Sequence, residues 1–180
     1  MLGLSQATYI DQILARFIKQ DSKKRFVSFR VGIYLSGDQR PKTHAKIERM
    51  REIPYASAVG SLMYAILCTR PDICFNVGMV SRYQSNPDEE HWIAVKHIFK
   101  YLQRMRDYML VYQDESLVPI GYTDSDFQSD RESRKSTSGY VFTLGGGAIS
   151  WRSVKQSSIA DSTMEAEYMQ FLKRQRRRYG

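Results

Sequence analysis

The 180 residues carry 27 basic and 19 acidic side chains, a net charge of +8, with 42% hydrophobic and 12% aromatic content. That balance excludes a disordered chain and bounds it at one ordinary domain or two small ones. No apolar run reaches the ~20 residues of a membrane helix, and the opening MLGLSQATYIDQILARF lacks a signal-peptide layout. A cytoplasmic or nuclear location, not secreted and with no membrane partner, is therefore expected. Cys68 and Cys74 are too few and too spaced for a zinc site. They are expected to be reduced, buried thiols.

Residues 6–19 place Tyr9, Ile10, Ile13, Leu14 and Phe17 along one stripe, which predicts a short amphipathic helix. Residues 20–43 are basic and polar, with Gly32, Gly37 and Pro41, and read as an irregular connection. A helical block follows near 54–106. Pro54 opens its first helix, in which Val59, Leu62, Met63 and Ile66 keep helical spacing. Pro71 opens a second, with Ile73, Val77, Val80 and Tyr83 on one side. Pro87 precedes a third, whose buried stripe is Trp92, Val95, Phe99 and Leu102.

From there the period changes from helix to strand. Residues 107–114 alternate, as do residues 117–124, and residues 137–144 are rich in Thr, Tyr, Val and Phe. Gly145-Gly146-Gly147 gives a turn into a strand at 148–153. The result is a three-stranded antiparallel meander, followed by a helix over 162–172. The fold class is α+β.

Five of the last eight residues are basic: Lys173, Arg174, Arg176, Arg177 and Arg178. Such a tail can bind a polyanion, and a solvated chain end is the plain alternative. His44, His91 and His97 put no pair on one helical face, so they read as surface or packing histidines rather than metal ligands.

The phrases PYASAVGSLMY, TRPDICFNVGMVSRY, HWIAVKHIFKYL and DYMLVY, with STSGYVF, ISWRS and EAEYM after them, stand in one order. In that order the chain resembles the Pol polyprotein of copia-type LTR retrotransposons. The resemblance covers roughly residues 2–171. It implies three parts: the C-terminal helical end of the reverse transcriptase region over 1–106, the N-terminal part of a ribonuclease H-like domain over 107–171, and an unmatched basic tail over 172–180. Departures from the family are KKRFVSFRV in place of a Pro-containing linker, Arg104 and Met109 in place of glycines, and Asp161 in place of an apolar residue.

Strand alternation puts Ile120, Tyr122, Asp124 and Asp126 on one side. Asp124 could be an ordinary strand-end turn residue. The resemblance instead makes it the first metal ligand, with Asp126 and Asp130 left as solvated turn acids. On the following helix, Ser162 and Glu165 fit a capping box. Glu167 shares a face with Met164 and Phe171, the face expected to pack on the sheet. The resemblance makes Glu167 the second ligand.

The implied family activity is Mg²⁺-dependent cleavage of RNA in RNA–DNA hybrids. Further carboxylates are needed to hold two Mg²⁺ ions, and the sequence has no acidic residue after Glu167. The family's polymerase centre would lie upstream of residue 1. The expectation is a truncated Pol fragment, inactive by itself, with Mg²⁺ held weakly or not at all. In the ribonuclease H fold the first strand of the meander is central. Without a partner on its far side it becomes an open edge, which could pair with another chain. The alternative is a nucleic-acid-binding or interaction module that uses the helical block and the basic tail.

Overall fold

In the computed structural model, described for residues 1–18, 35–113, 117–126, 133–165, 167 and 168, helices come first and strands follow. The chain falls into two compact units: a helical unit, Gly3–Leu110, and a second unit of Met1–Leu2 with the residues from Val111 onward. The architecture is α+β.

The helical unit begins with β1 (Leu2–Leu4) and α1 (Ala7–Phe17). It continues with α2 (His44–Arg51), α3 (Tyr55–Cys68), a short 3₁₀ turn at Pro71–Ile73, α4 (Cys74–Ser81) and α5 (Glu89–Arg104). Helix α2 is an addition to the sequence expectation. Its eight residues HAKIERMR offer only Ile47 and Met50 as an apolar signal, too little periodicity to announce a helix. Thr43 caps it, its hydroxyl accepting from the Lys46 amide at 3.4 Å.

The predicted stripes form the core, except that Met63 of the α3 stripe is exposed instead. Ile10, Val59, Leu62, Ile73, Val77, Val80, Val95, Phe99 and Leu102 are all fully buried. Burial of each such side chain is worth about 1.5–3 kcal/mol. Directional contacts then fix how the helices meet. Phe17 of α1 stacks on Phe99 of α5 with ring centroids 5.3 Å apart. The Tyr55 hydroxyl of α3 donates to the Val80 carbonyl of α4 at 2.8 Å. His91 is buried in α5, where its Nδ1 accepts from the Asp88 amide at 2.9 Å, and His97 is buried too. His44 is exposed. Cys68 and Cys74 form no disulfide and are half-buried rather than buried as expected.

Arg70 organises the end of α5. It is 3% exposed and grips Asp72 with two hydrogen bonds, Nε to Oδ1 at 3.0 Å and a terminal nitrogen to Oδ2 at 2.6 Å. Its other terminal nitrogen donates to the Met105 carbonyl at 3.0 Å. This supplies the C-terminal capping that glycine usually gives and that Arg104 does not. The Tyr101 hydroxyl donates to Asp72 at 2.9 Å.

Burial, and then the Asp72 carboxylate, push the Tyr101 hydroxyl up to about 12. An unfolded tyrosine titrates near pH ~10. Stability linked to the neutral hydroxyl is therefore fully present below that value and is lost as pH rises through the folded value. Tyr101→Phe should flatten the decline in thermal midpoint between pH 10 and pH 12 relative to the parent chain. An unchanged slope would show that Tyr101 does not titrate with unfolding.

Strand β2 (Leu110–Tyr112) pairs with β1 in a two-stranded sheet, a shorter strand than the eight residues expected. The second unit holds β3 (Ile120–Ser125), β4 (Thr137–Leu144) and β5 (Gly147–Lys155) in the order β3-β4-β5, antiparallel throughout. The meander is thus present, with β3 starting three residues later than expected and β5 three residues longer, one at its start and two at its end. Gly145 and Gly146 both have positive φ, 54° and 83°, as a tight two-residue hairpin turn demands. A register shift between Phe142 and Thr143 marks a bulge at Ile149, the extra residue of β5 that the pairing skips.

Two features make this sheet weak. Strand β3 is an edge, and Leu117, Val118, Ile120 and Tyr122 on and before it are all more than half exposed. Among the described residues from Val111 onward, the buried hydrophobic side chains are only Ala148 and Ala160. Residues 115–180 produced separately should therefore show no cooperative thermal transition as a monomer. A sharp calorimetric peak from a monomeric sample would contradict this.

Candidate functional site

Asp124 stands one residue before the end of β3, opposite Gly139 of β4. It is exposed, on the same side of the strand as Ile120 and Tyr122. No hydrogen bond or ion pair of its carboxylate is found among the described residues.

The chain immediately around Asp124 is pinned from both sides. Asp126, expected as a solvated turn acid, is half-buried and structural. Its carboxylate accepts from the Thr137 amide at 2.6 Å, and its own amide donates to the Thr137 carbonyl at 3.1 Å. The β3–β4 ladder thus extends past its last strand pair. Gln156 is 2% exposed. Its side-chain nitrogen donates to Ser138 Oγ at 2.7 Å and to Ser125 Oγ at 3.2 Å, while its amide donates to the Ser136 carbonyl at 2.8 Å. One buried amide therefore ties together the ends of all three strands, beside the residue that follows Asp124. Nothing in the sequence pattern gives Asp126 this structural role or marks Gln156 at all. The partners of Gln156 lie 18 and 31 residues away, so no local pattern announces it.

The helix expected over 162–172 is described at residues 163–165, 167 and 168. Ser162 caps it, its hydroxyl accepting from the Glu165 amide at 3.1 Å. Glu165 reaches back to the Asp161 amide at 2.8 Å, one residue earlier than a standard capping box places it. Asp161, where the family resemblance expects an apolar residue, is exposed. Glu167 is exposed, and Met164 is 79% exposed. The face they share is thus not buried against the sheet as expected: the turn that carries them leaves both in solvent. Asp130, Phe171 and the tail residues Lys173, Arg174, Arg176, Arg177 and Arg178 lie outside the described residues.

As a donor set for a hard cation, the arrangement falls short. Among the described residues no group of three or more His, Cys, Asp or Glu side chains could hold a metal ion. Asp124 and Glu167 supply two carboxylates, and a pair of Mg²⁺ ions needs more than two to hold it. The described residues therefore do not fit a two-metal centre. No helix of the described residues is long and apolar enough to cross a membrane.

Comparison with known proteins gives this α+β chain a lineage among transposon-encoded sequences. It is 46% identical over 168 residues to the retrovirus-related Pol polyprotein from transposon TNT 1-94 of Nicotiana tabacum, a match covering 93% of this chain and 13% of that protein. The Pol polyprotein from transposon RE2 of Arabidopsis thaliana is 32% identical over 168 residues, covering 93% of the chain and 11% of that protein. The secreted RxLR effector protein 161 of Plasmopara viticola is 46% identical over 121 residues, which cover 67% of this chain and 85% of the effector. No family model and no solved structure matches the chain. The chain belongs to the Pol polyprotein family of copia-type transposons, and it spans 11–13% of the length of the Pol relatives named here.

Proposed function

We propose that residues 1–106 are the C-terminal helical end of a reverse transcriptase region and residues 107–171 the N-terminal part of a ribonuclease H-like domain. On this reading Asp124 and Glu167 are two of the carboxylates of a centre that cleaves RNA in RNA–DNA hybrids. A cytoplasmic or nuclear location accompanies it. The observation that carries the reading is Asp124 itself: an exposed, unpaired carboxylate at the pinned end of an edge strand in a Pol-family chain. Asp126 and Glu165, the acids nearest to the two candidates in sequence, are occupied by backbone amides. With two carboxylates in place, residues 1–180 by themselves do not cleave.

Mg²⁺ titration of the 180-residue chain tests the assignment. Binding should be weak, and Asp124→Asn should weaken it further. Equal affinity in parent and variant would remove Asp124 from the site.

A second reading, a stand-alone interaction module, is favoured by the effector relative, most of whose length is built from sequence like this one. The five basic residues at 173–178 are its candidate contact to nucleic acid. Binding through them should be non-specific and fall with salt, with a log–log slope of about −0.9 per neutralised phosphate on duplex DNA. Truncation after Leu172 should flatten that slope and leave the helical unit folded. Binding that survives truncation undiminished would move the site to the helices.

A further inference from the structure

We infer that Lys42, Lys46 and Arg49, on and just before α2, form a contact for the phosphate backbone of duplex nucleic acid, separate from the basic tail. The inference goes beyond the second reading above and stands whether or not the tail binds. Residues 19–52 hold ten basic and four acidic side chains, and residues 173–178 hold five basic ones. Elsewhere the chain has 12 basic and 15 acidic side chains. Its positive charge is thus gathered in two places, and α2 lies in the first of them.

Helix α2 buries only Met50 and leaves its other seven side chains exposed. Its single acid is already taken: Glu48 pairs with Arg51 at 2.6 Å and has His44 at 3.9 Å. Lys46 and Arg49 stand three positions apart, and such residues are neighbours on a helix surface. Neither they nor Lys42 have an acidic partner among the described residues, and Glu52 at the C-terminal cap pairs with none of them. A merely solvated face intersperses the two signs. Here three cations stand together while the acid beside them is held by Arg51. The Thr43 cap fixes where the helix begins, between Lys42 and Lys46, so the cations are carried on an ordered turn.

The chemistry of the face selects the ligand. A bilayer requires an apolar helix face to insert, but Met50 is buried and Ile47 is only 37% exposed. Residues 36–52 contain no Phe, Tyr or Trp on which an unpaired base could stack, so a single strand gains nothing over a duplex. A duplex carries one negative charge per ~1.7 Å of its axis. Two cations ~4.5 Å apart along α2 meet phosphates on any sequence. Contact of this kind positions and does not specify.

The test measures binding of the 180-residue chain to a DNA duplex of about 20 base pairs and arbitrary sequence, between about 50 and 200 mM salt. The double variant Lys46→Gln, Arg49→Gln should bind about tenfold more weakly or worse, with a log–log salt slope shallower by about one unit per residue removed. Both residues are exposed and unpaired, and Gln matches Lys and Arg in helix propensity, so the thermal midpoint should stay at the parent value. A chain whose five basic residues at 173–178 are changed to Gln separates the two sites: it should still bind, and lose that binding in the α2 double variant. If the double variant binds like its parent in both tail backgrounds, the proposal is overturned, while the tail reading is decided by the tail variant alone. Equal, α2-dependent binding to phosphatidylserine vesicles or to polyglutamate would also overturn it, because the face would then recognise any anion.

Discussion

Arg70→Ala should destabilise the helical unit by about 2–3 kcal/mol, because a buried guanidinium loses its hydrogen bonds to a carboxylate that is itself about a third exposed. Three groups lose their partner together. Asp72 keeps only the Tyr101 hydroxyl in place of a two-point grip, and the Met105 carbonyl at the end of α5 loses its donor. The guanidinium also lies 5.9 Å from the Tyr101 ring centroid, a contact the variant lacks. The double variant Arg70→Met, Asp72→Leu should recover most of the loss, since replacing both members by apolar side chains leaves no unpaired charge. Urea unfolding of the three chains measures the difference. A loss below about 1 kcal/mol in the single variant would mean the pair behaves like a surface ion pair.

The helical unit was largely legible in the sequence because its information is local. Pro54, Pro71 and Pro87 mark where helices begin, and Val95, Phe99 and Leu102 recur at the helical period. Each stripe side chain named for α5 is buried or packed against the core. What escaped notice was decided by contacts distant in sequence or by weak periodicity. Arg70 at the end of α5 reaches Met105 across 35 positions, and no spacing rule points to it. Helix α2 is held by its Thr43 cap more than by any apolar stripe.

The same division runs through the candidate site. The family resemblance singles out Asp124, and strand alternation supplies only its side of the sheet. Its neighbour Asp126 looked equivalent by composition and differs by geometry: one carboxylate points to solvent, while the other closes a ladder. Glu165 and Glu167 are both exposed, but Glu165 accepts from the Asp161 amide. Sequence gives the acids; the backbone amides decide which of them stay available for chemistry.

That division sets the catalytic prediction. Residues 1–180 assayed by themselves should cleave no RNA in an RNA–DNA hybrid, with or without Mg²⁺. Two carboxylates leave most of the coordination shell of a hard cation to water, and a second ion has nothing to hold it. Extending the chain beyond Leu172 with the sequence that follows this segment in the tobacco TNT 1-94 Pol polyprotein should give Mg²⁺-dependent cleavage. The extension should also cover the open edge of β3, so protection of the Ile120–Ser125 amides from hydrogen exchange should rise with it. In the extended chain, Asp124→Asn and Glu167→Gln should each slow cleavage by two orders of magnitude or more, ~2.7 kcal/mol of barrier. Asp126→Asn should act differently, lowering stability through the Thr137 contact while leaving the Mg²⁺ dependence of cleavage unchanged. Cleavage by the 180-residue chain that is lost in Asp124→Asn would show that two carboxylates suffice, and the partial-centre reading would fall.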